Sequence, residues 1–361
     1  MNYIDFIKLY YSYVKDFSVN LLERRLLTGE EKGGVYNDFT KSPFISSNFK
    51  SDLSEKIINS DIYDNIYVVN SQQGQINFHF ISDRSEREIN KLKKYYFFLI
   101  YIVLNKKQNR KFLKNIYINI ITINKPKKIS NPISINDINS ASTIIYPEFG
   151  GPIYIWRSDE LEKVLIHETL HSLLYDYDII QQELNPDLKK IENIIDKNGK
   201  GLNINEAYTE LCAVFIMCLF KIGKKNAKTV ILKNLNKMLI HSLKTCAKLL
   251  KKFNVDNPRQ CTIVNNLHQC SYHQEASAYS YIVIKTGLLW AILKNSHLRD
   301  GKIDRVKCLE EFLSIGFTGT IGPKYQEMIV DILKNNRFNR AIERYMGKVV
   351  EGNLYFSIFH S

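Results

Sequence analysis

The sequence predicts an α+β fold, and three observations carry that expectation. Alternating, strand-like segments and one long helical pattern fill the first half of the 361-residue chain, and helical periodicity then runs almost unbroken after residue 176. Between the two regimes lies an HExxH stretch, His167-Glu168-Thr169-Leu170-His171, directly after a short strand-like run. The expected organisation is an N-terminal helix and loop extension over 1–52, an α/β lobe over 53–176 that ends in the HExxH helix, and a helical lobe over 177–361.

Each element follows from a local pattern. Ile4, Ile7, Tyr10, Tyr11, Val14, Phe17, Leu21 and Leu22 recur at helical spacing and predict an amphipathic helix over 3–27. Gly29, Gly33, Gly34 and Pro43 predict a connecting loop over 28–52. Alternation predicts strands at 66–69, 75–81 and 115–123, with a long helix over 84–104. Two short strands, 143–146 and 153–156, flank a turn from Pro147 to Pro152. Ser158, Asp159 and Glu160 then supply an N-cap and first-turn acids for the HExxH helix, whose other positions are apolar. Later helices are expected at 203–222, 226–252, 275–295, 305–314 and 323–345.

Composition narrows the class. A content of 45% hydrophobic and 12% aromatic residues supports a globular core. The net charge of +13 favours acidic partners. The six cysteines all follow residue 211 and form no CxxC pair, which excludes a zinc ribbon and a small disulfide framework. Cys212 and Cys218 read as buried free thiols, and Cys261 and Cys270 lie near His268 and His273 without a standard ligand spacing. No signal peptide is legible at the start of this sequence, and no apolar run reaches the about 20 residues a membrane span needs. An intracellular, reducing location is expected.

The chemistry concentrates on two helices. Residues four apart share a helix face, so His167 and His171 can address one metal ion while Glu168 reaches a water beside it. A catalytic zinc takes three protein ligands and keeps one position open. Leu174 and Tyr177 stand where an HExxHxxGxxH motif would need glycine and histidine, so the third ligand lies elsewhere. Asn205-Glu206-Ala207-Tyr208-Thr209-Glu210 places two carboxylates four apart in an apolar helix: Glu206 as the ligand, Glu210 as acceptor for the other N–H of His167.

HETLH followed by NEAYTE resembles the gluzincin signature of thermolysin-type metallopeptidases, in which HExxH precedes a helix bearing NExxSD. The resemblance spans about residues 60–220. It departs from the pattern in having Glu210 in place of an aspartate and a longer gap between His171 and Glu206. It implies a zincin-like lobe of small mixed sheet, backing helix and HExxH helix, and a zinc-dependent metallopeptidase. One Zn²⁺ would be held by His167, His171 and Glu206, with Glu168 as general base and Glu210 orienting His167. It further implies an electrophilic residue from the distal lobe, for which His273, Tyr279 and Tyr281 are candidates, and a substrate-pairing edge strand at Thr143, Ile144, Ile145 and Tyr146. The same stretches are also similar to uncharacterised metallopeptidase-like proteins of large DNA viruses.

Partner expectations follow from charge. Between Glu210 and Asp256 there is no acid, while Lys221, Lys224, Lys225, Lys228, Lys233, Lys237, Lys244, Lys248, Lys251 and Lys252 form a positive stripe. An acidic polypeptide substrate suits it; nucleic acid would too, although no nucleic-acid motif accompanies the stripe. The competing expectation is a non-catalytic, basic binding or structural virion-associated protein built on a zincin scaffold.

Overall fold

Six strands, most of them rich in β-branched and aromatic residues, pair into one sheet in the order β1-β2-β3-β4-β6-β5. The computed structural model describes residues 12–14, 17, 19–71, 74–106, 111–130, 133–195, 202–222, 227–252, 274, 276–294 and 323–348. The chain divides into two compact units. A sheet unit comprises Ile4–Pro126 and Asn139–Tyr175; a helical unit comprises Met1–Tyr3, Lys127–Ile138 and Asp176–Ser361. The protein is α+β, and among the described residues no helix is long and apolar enough to cross a membrane.

In the sheet unit, β1 (Asn20–Leu26), β2 (Tyr63–Ser71) and β3 (Gly74–Ser82) run antiparallel in succession. β3 is parallel to β4 (Asn115–Ile123) and β4 to β6 (Ile153–Arg157), while β5 (Ala141–Thr143) closes the edge antiparallel to β6. Parallel neighbours need a crossover, which α3 (Glu86–Lys106) provides between β3 and β4. Its Tyr96 and Phe97 rings meet Tyr67, Phe78 and Phe80 edge-on or tilted from the sheet. Burying each such ring contributes about 2 kcal/mol. The opposite face carries Ile81, Ile121, Tyr154 and Trp156, which pack with Val35 and Phe39 of α1 (Gly29–Lys41) and Phe49, Leu53 and Ile57 of α2 (Ser47–Asn59).

The N-terminal expectation needs correction. Residues 12–14 are helical, but Asn20–Leu26 is an edge strand and 28–52 is mostly two helices rather than a loop. Thr28 caps α1 in a capping box with Glu31, and Ser46 caps α2 by accepting from the Phe49 N–H. No residue of β1 is buried, and the strand carries Glu23, Arg24 and Arg25, charges that discourage a further strand from adding to the edge.

In the helical unit, α8 (Ile204–Ile222) is surrounded on nearly every side, with Ala207 through Leu219 buried. Around it are α9 (Ala227–Lys252), a π-helical turn at Ser280–Ile284 and α10 (Lys285–Lys294). α11 (Pro323–Leu333) anchors the start of α8 through Tyr325, whose hydroxyl donates to the Ile204 carbonyl at 3.0 Å. The single helix expected over 323–345 is two, because Asn335 ends the first and its side chain caps α12 (Asn336–Met346). Three short helices also occur: α4 (Ile135–Ile138), α6 (Tyr177–Ile180) and α7 (Pro186–Ile195). The helix expected at 305–314 lies outside the described residues.

Candidate metal centre

The HExxH helix, α5 (Leu161–Ser172), begins later than the Ser158 cap predicts. Its N-cap is Glu160, held in the left-handed region at φ 56 without a side-chain cap bond. α5 packs on α3, β5 and β6, and Tyr95 of α3 donates to Glu162 at 2.9 Å. Every residue from Lys163 to Ser172 is buried. The helix ends at Ser172: Leu174 turns left-handed at φ 55, its N–H reaches the His171 carbonyl, and the Tyr175 N–H reaches the Leu170 carbonyl. Those two bonds form the terminator that glycine usually occupies, so a leucine there costs about 1 kcal/mol.

The β5–β6 connection is tied to this helix end. The Gly150 N–H donates to the Ser172 carbonyl at 3.0 Å, and the Ser172 hydroxyl donates to the Gly151 carbonyl at 2.8 Å. Gly151 has no alternative residue, because a Cβ there would fall on the Ile144 carbonyl.

One turn apart on α5, His167 and His171 bring their Nε2 atoms to 3.0 Å with the rings inclined at 77°. Two lone pairs so close repel, so the pair calls for a proton or a cation between them. Glu206, in the first turn of α8, completes the set: one ligand atom from each of the three residues lies within 4.8 Å of the others. Among the described residues this His167, His171 and Glu206 group is the one that could hold a metal ion. Two imidazole nitrogens and a carboxylate oxygen are donors that suit a borderline cation such as Zn²⁺.

Glu168 is buried, 7% exposed, and the Thr143 hydroxyl at the end of β5 donates to its Oε2 at 2.7 Å. The same hydroxyl lies 3.2 Å from the Glu168 carbonyl oxygen. Thr143 therefore contacts the predicted base itself. The edge strand runs over 141–143 rather than 143–146, and Ile144, Ile145 and Tyr146 continue beyond it with exposed side chains.

Glu210 is buried one turn beyond Glu206, in an otherwise apolar stretch of α8. Tyr281 is half-buried in the π-helical turn. Tyr279 is wholly enclosed, and burial pushes its hydroxyl well above the usual range. His273 lies outside the described residues, as do Cys261, His268 and Cys270. Cys212 and Cys218 are buried free thiols, as their apolar surroundings predict, and Cys246 joins them.

Sequence reasoning did not single out Asp176 or Asn205. Asp176 is fully buried, and Asn205 Nδ2 donates to its Oδ2 at 2.8 Å, tethering the residue next to Glu206. Its sequence signal is an acid inside the apolar run Leu173-Leu174-Tyr175-Asp176-Tyr177. In comparisons with known proteins, no family model, no curated protein and no solved structure matches this chain.

Proposed function

We propose that the chain is a zinc-dependent metallopeptidase with a zincin-like sheet unit. One observation carries the reading: His167, His171 and Glu206 gather two nitrogens and one carboxylate oxygen within 4.8 Å, beside a buried glutamate. The donor set fits zinc, with three protein ligands of the kind catalytic sites use. Bound there, the ion would supply Lewis-acid polarisation of a water and of a carbonyl oxygen.

The chain's own groups do the rest. Glu168, whose Oε2 accepts the Thr143 hydroxyl, would take a proton from water and deliver it to the leaving amine. As the last strand of the sheet among the described residues, β5 would offer its edge to an extended polypeptide pairing through its main chain. Beyond Thr143, the exposed Ile144, Ile145 and Tyr146 would contact substrate side chains. The basic character of the chain favours acidic polypeptides.

The test joins metal analysis to a peptide-library digest. The purified protein is expected to carry about one zinc per chain and to cleave peptides; Glu206→Ala loses the metal, and Glu168→Gln keeps it but stops cleavage. A metal-free wild type, or a Glu168→Gln protein that still cleaves, overturns the reading.

A further inference from the structure

A second surface, within the helical unit, has the features of a binding site. α12 is strongly two-faced: Phe338, Asn339 and Ile342 are buried, while Arg337, Arg340 and Arg344 are exposed at spacings of three and four. The arginines therefore form one row about 10 Å long. The neighbouring α9 exposes Lys233, Lys237, Ile240 and Lys244 along a single stripe, of which Ile240, 46% exposed, lines the cavity the two helices share. Between the two helices lies a cavity of about 490 Å³ floored by Leu239, Leu243 and Trp290 and rimmed by the three arginines. Among the described residues, no carboxylate lines it.

We propose that this groove docks an acidic amphipathic helix of a partner polypeptide. The proposal is independent of whether His167, His171 and Glu206 hold a metal. Charge complementarity selects the acid: three exposed guanidiniums beside an acid-free α9 favour carboxylates and repel basic segments. The spacing selects the helix, because carboxylates at i, i+3 or i+4, and i+7 repeat with the same 1.5 Å rise per residue as the arginine row. The apolar floor and Ile240 then receive the partner's adjacent leucines, in the helix-in-groove mode. Nucleic acid is the poorer fit: Trp290 is only 5% exposed and offers no face for base stacking, and phosphates would leave Ile240 without a partner.

The test uses the full chain and a fluorescein-labelled helical peptide of about 18 residues, with glutamates at i, i+4 and i+7 and leucines on the neighbouring face. Fluorescence anisotropy is expected to show saturable binding that weakens at least about tenfold in the Arg340→Glu, Arg344→Glu double variant. Replacing the peptide's glutamates by glutamine, or its leucines by serine, is expected to cost as much. Where charge reversal impairs folding, the Arg340→Gln, Arg344→Gln pair gives the same loss in a protein whose circular dichroism matches wild type. Equal binding by the arginine variants, equal binding of either altered peptide, or tighter binding of a labelled DNA duplex overturns the proposal.

Discussion

The Thr143 hydroxyl lies 2.7 Å from Glu168 Oε2 and so joins the edge strand directly to the acid between the two histidines. A hydrogen bond to a charged group contributes about 1.5–3 kcal/mol, and losing it removes one restraint on how the carboxylate is oriented. In Thr143→Val the shape is kept and the donor lost. Peptide cleavage by that variant is expected to fall about 10–100-fold in kcat with KM and bound zinc little changed, and Thr143→Ser should restore most of it. A Thr143→Val protein with wild-type kcat would show that the contact does not hold the base.

Asn205 and Asp176 form the corresponding tether in the helical unit. Asp176 is fully buried, and removing the Asn205 amide takes one donor from a carboxylate that water cannot reach. Asn205→Ala should therefore lower stability by about 1.5–3 kcal/mol, read from the denaturant midpoint. Because the neighbouring residue is Glu206, zinc affinity measured with a competing chelator should fall too, while Asn236→Ala, at another half-buried asparagine of the same unit, should leave it unchanged.

Gly151 is held where a side chain cannot go. A Cβ would overlap the Ile144 carbonyl, so Gly151→Ala must push apart the connection that Ser172 ties to the end of α5. The expected cost is about 1–3 kcal/mol, accompanied by lost cleavage, since the displaced segment adjoins Thr143. Unchanged stability and activity in that variant would mean that the connection yields freely.

What was legible in the sequence is what depends on neighbours along the chain. The i, i+4 spacing of His167 and His171, and of Glu206 and Glu210, follows from helix geometry alone. Thr143 with Glu168, and Asn205 with Asp176, are separated by 25 and 29 residues, and no local pattern announces such pairs. β1 shows a different failure. Leu21, Leu22 and Leu26 satisfy a helical stripe, yet Leu22 and Leu26 are exposed in β1, so it is main-chain pairing with β2 and not burial that makes the segment a strand. The capping box at Thr28 and Glu31 was present in the sequence, but three nearby glycines obscured it. Asn335 likewise carried the signal that divides α11 from α12.

Cys212, Cys218 and Cys246 supply a pH-dependent prediction. Burial raises each thiol from an ordinary 9.0 to about 12, so at pH 8 the folded protein holds about a thousandfold less thiolate at these positions than the unfolded chain. Iodoacetamide at pH 8 should leave these three unmodified in the native protein and label them in guanidinium, as read by mass spectrometry of the peptides that contain them. The same shift fixes the sign of the stability change. The contribution is fully present below pH 9.0, where both states keep the proton, and is lost as pH climbs towards about 12, because the unfolded thiols ionise first. Native labelling of Cys212, Cys218 or Cys246 at the rate of the denatured chain would show that these thiols are not enclosed.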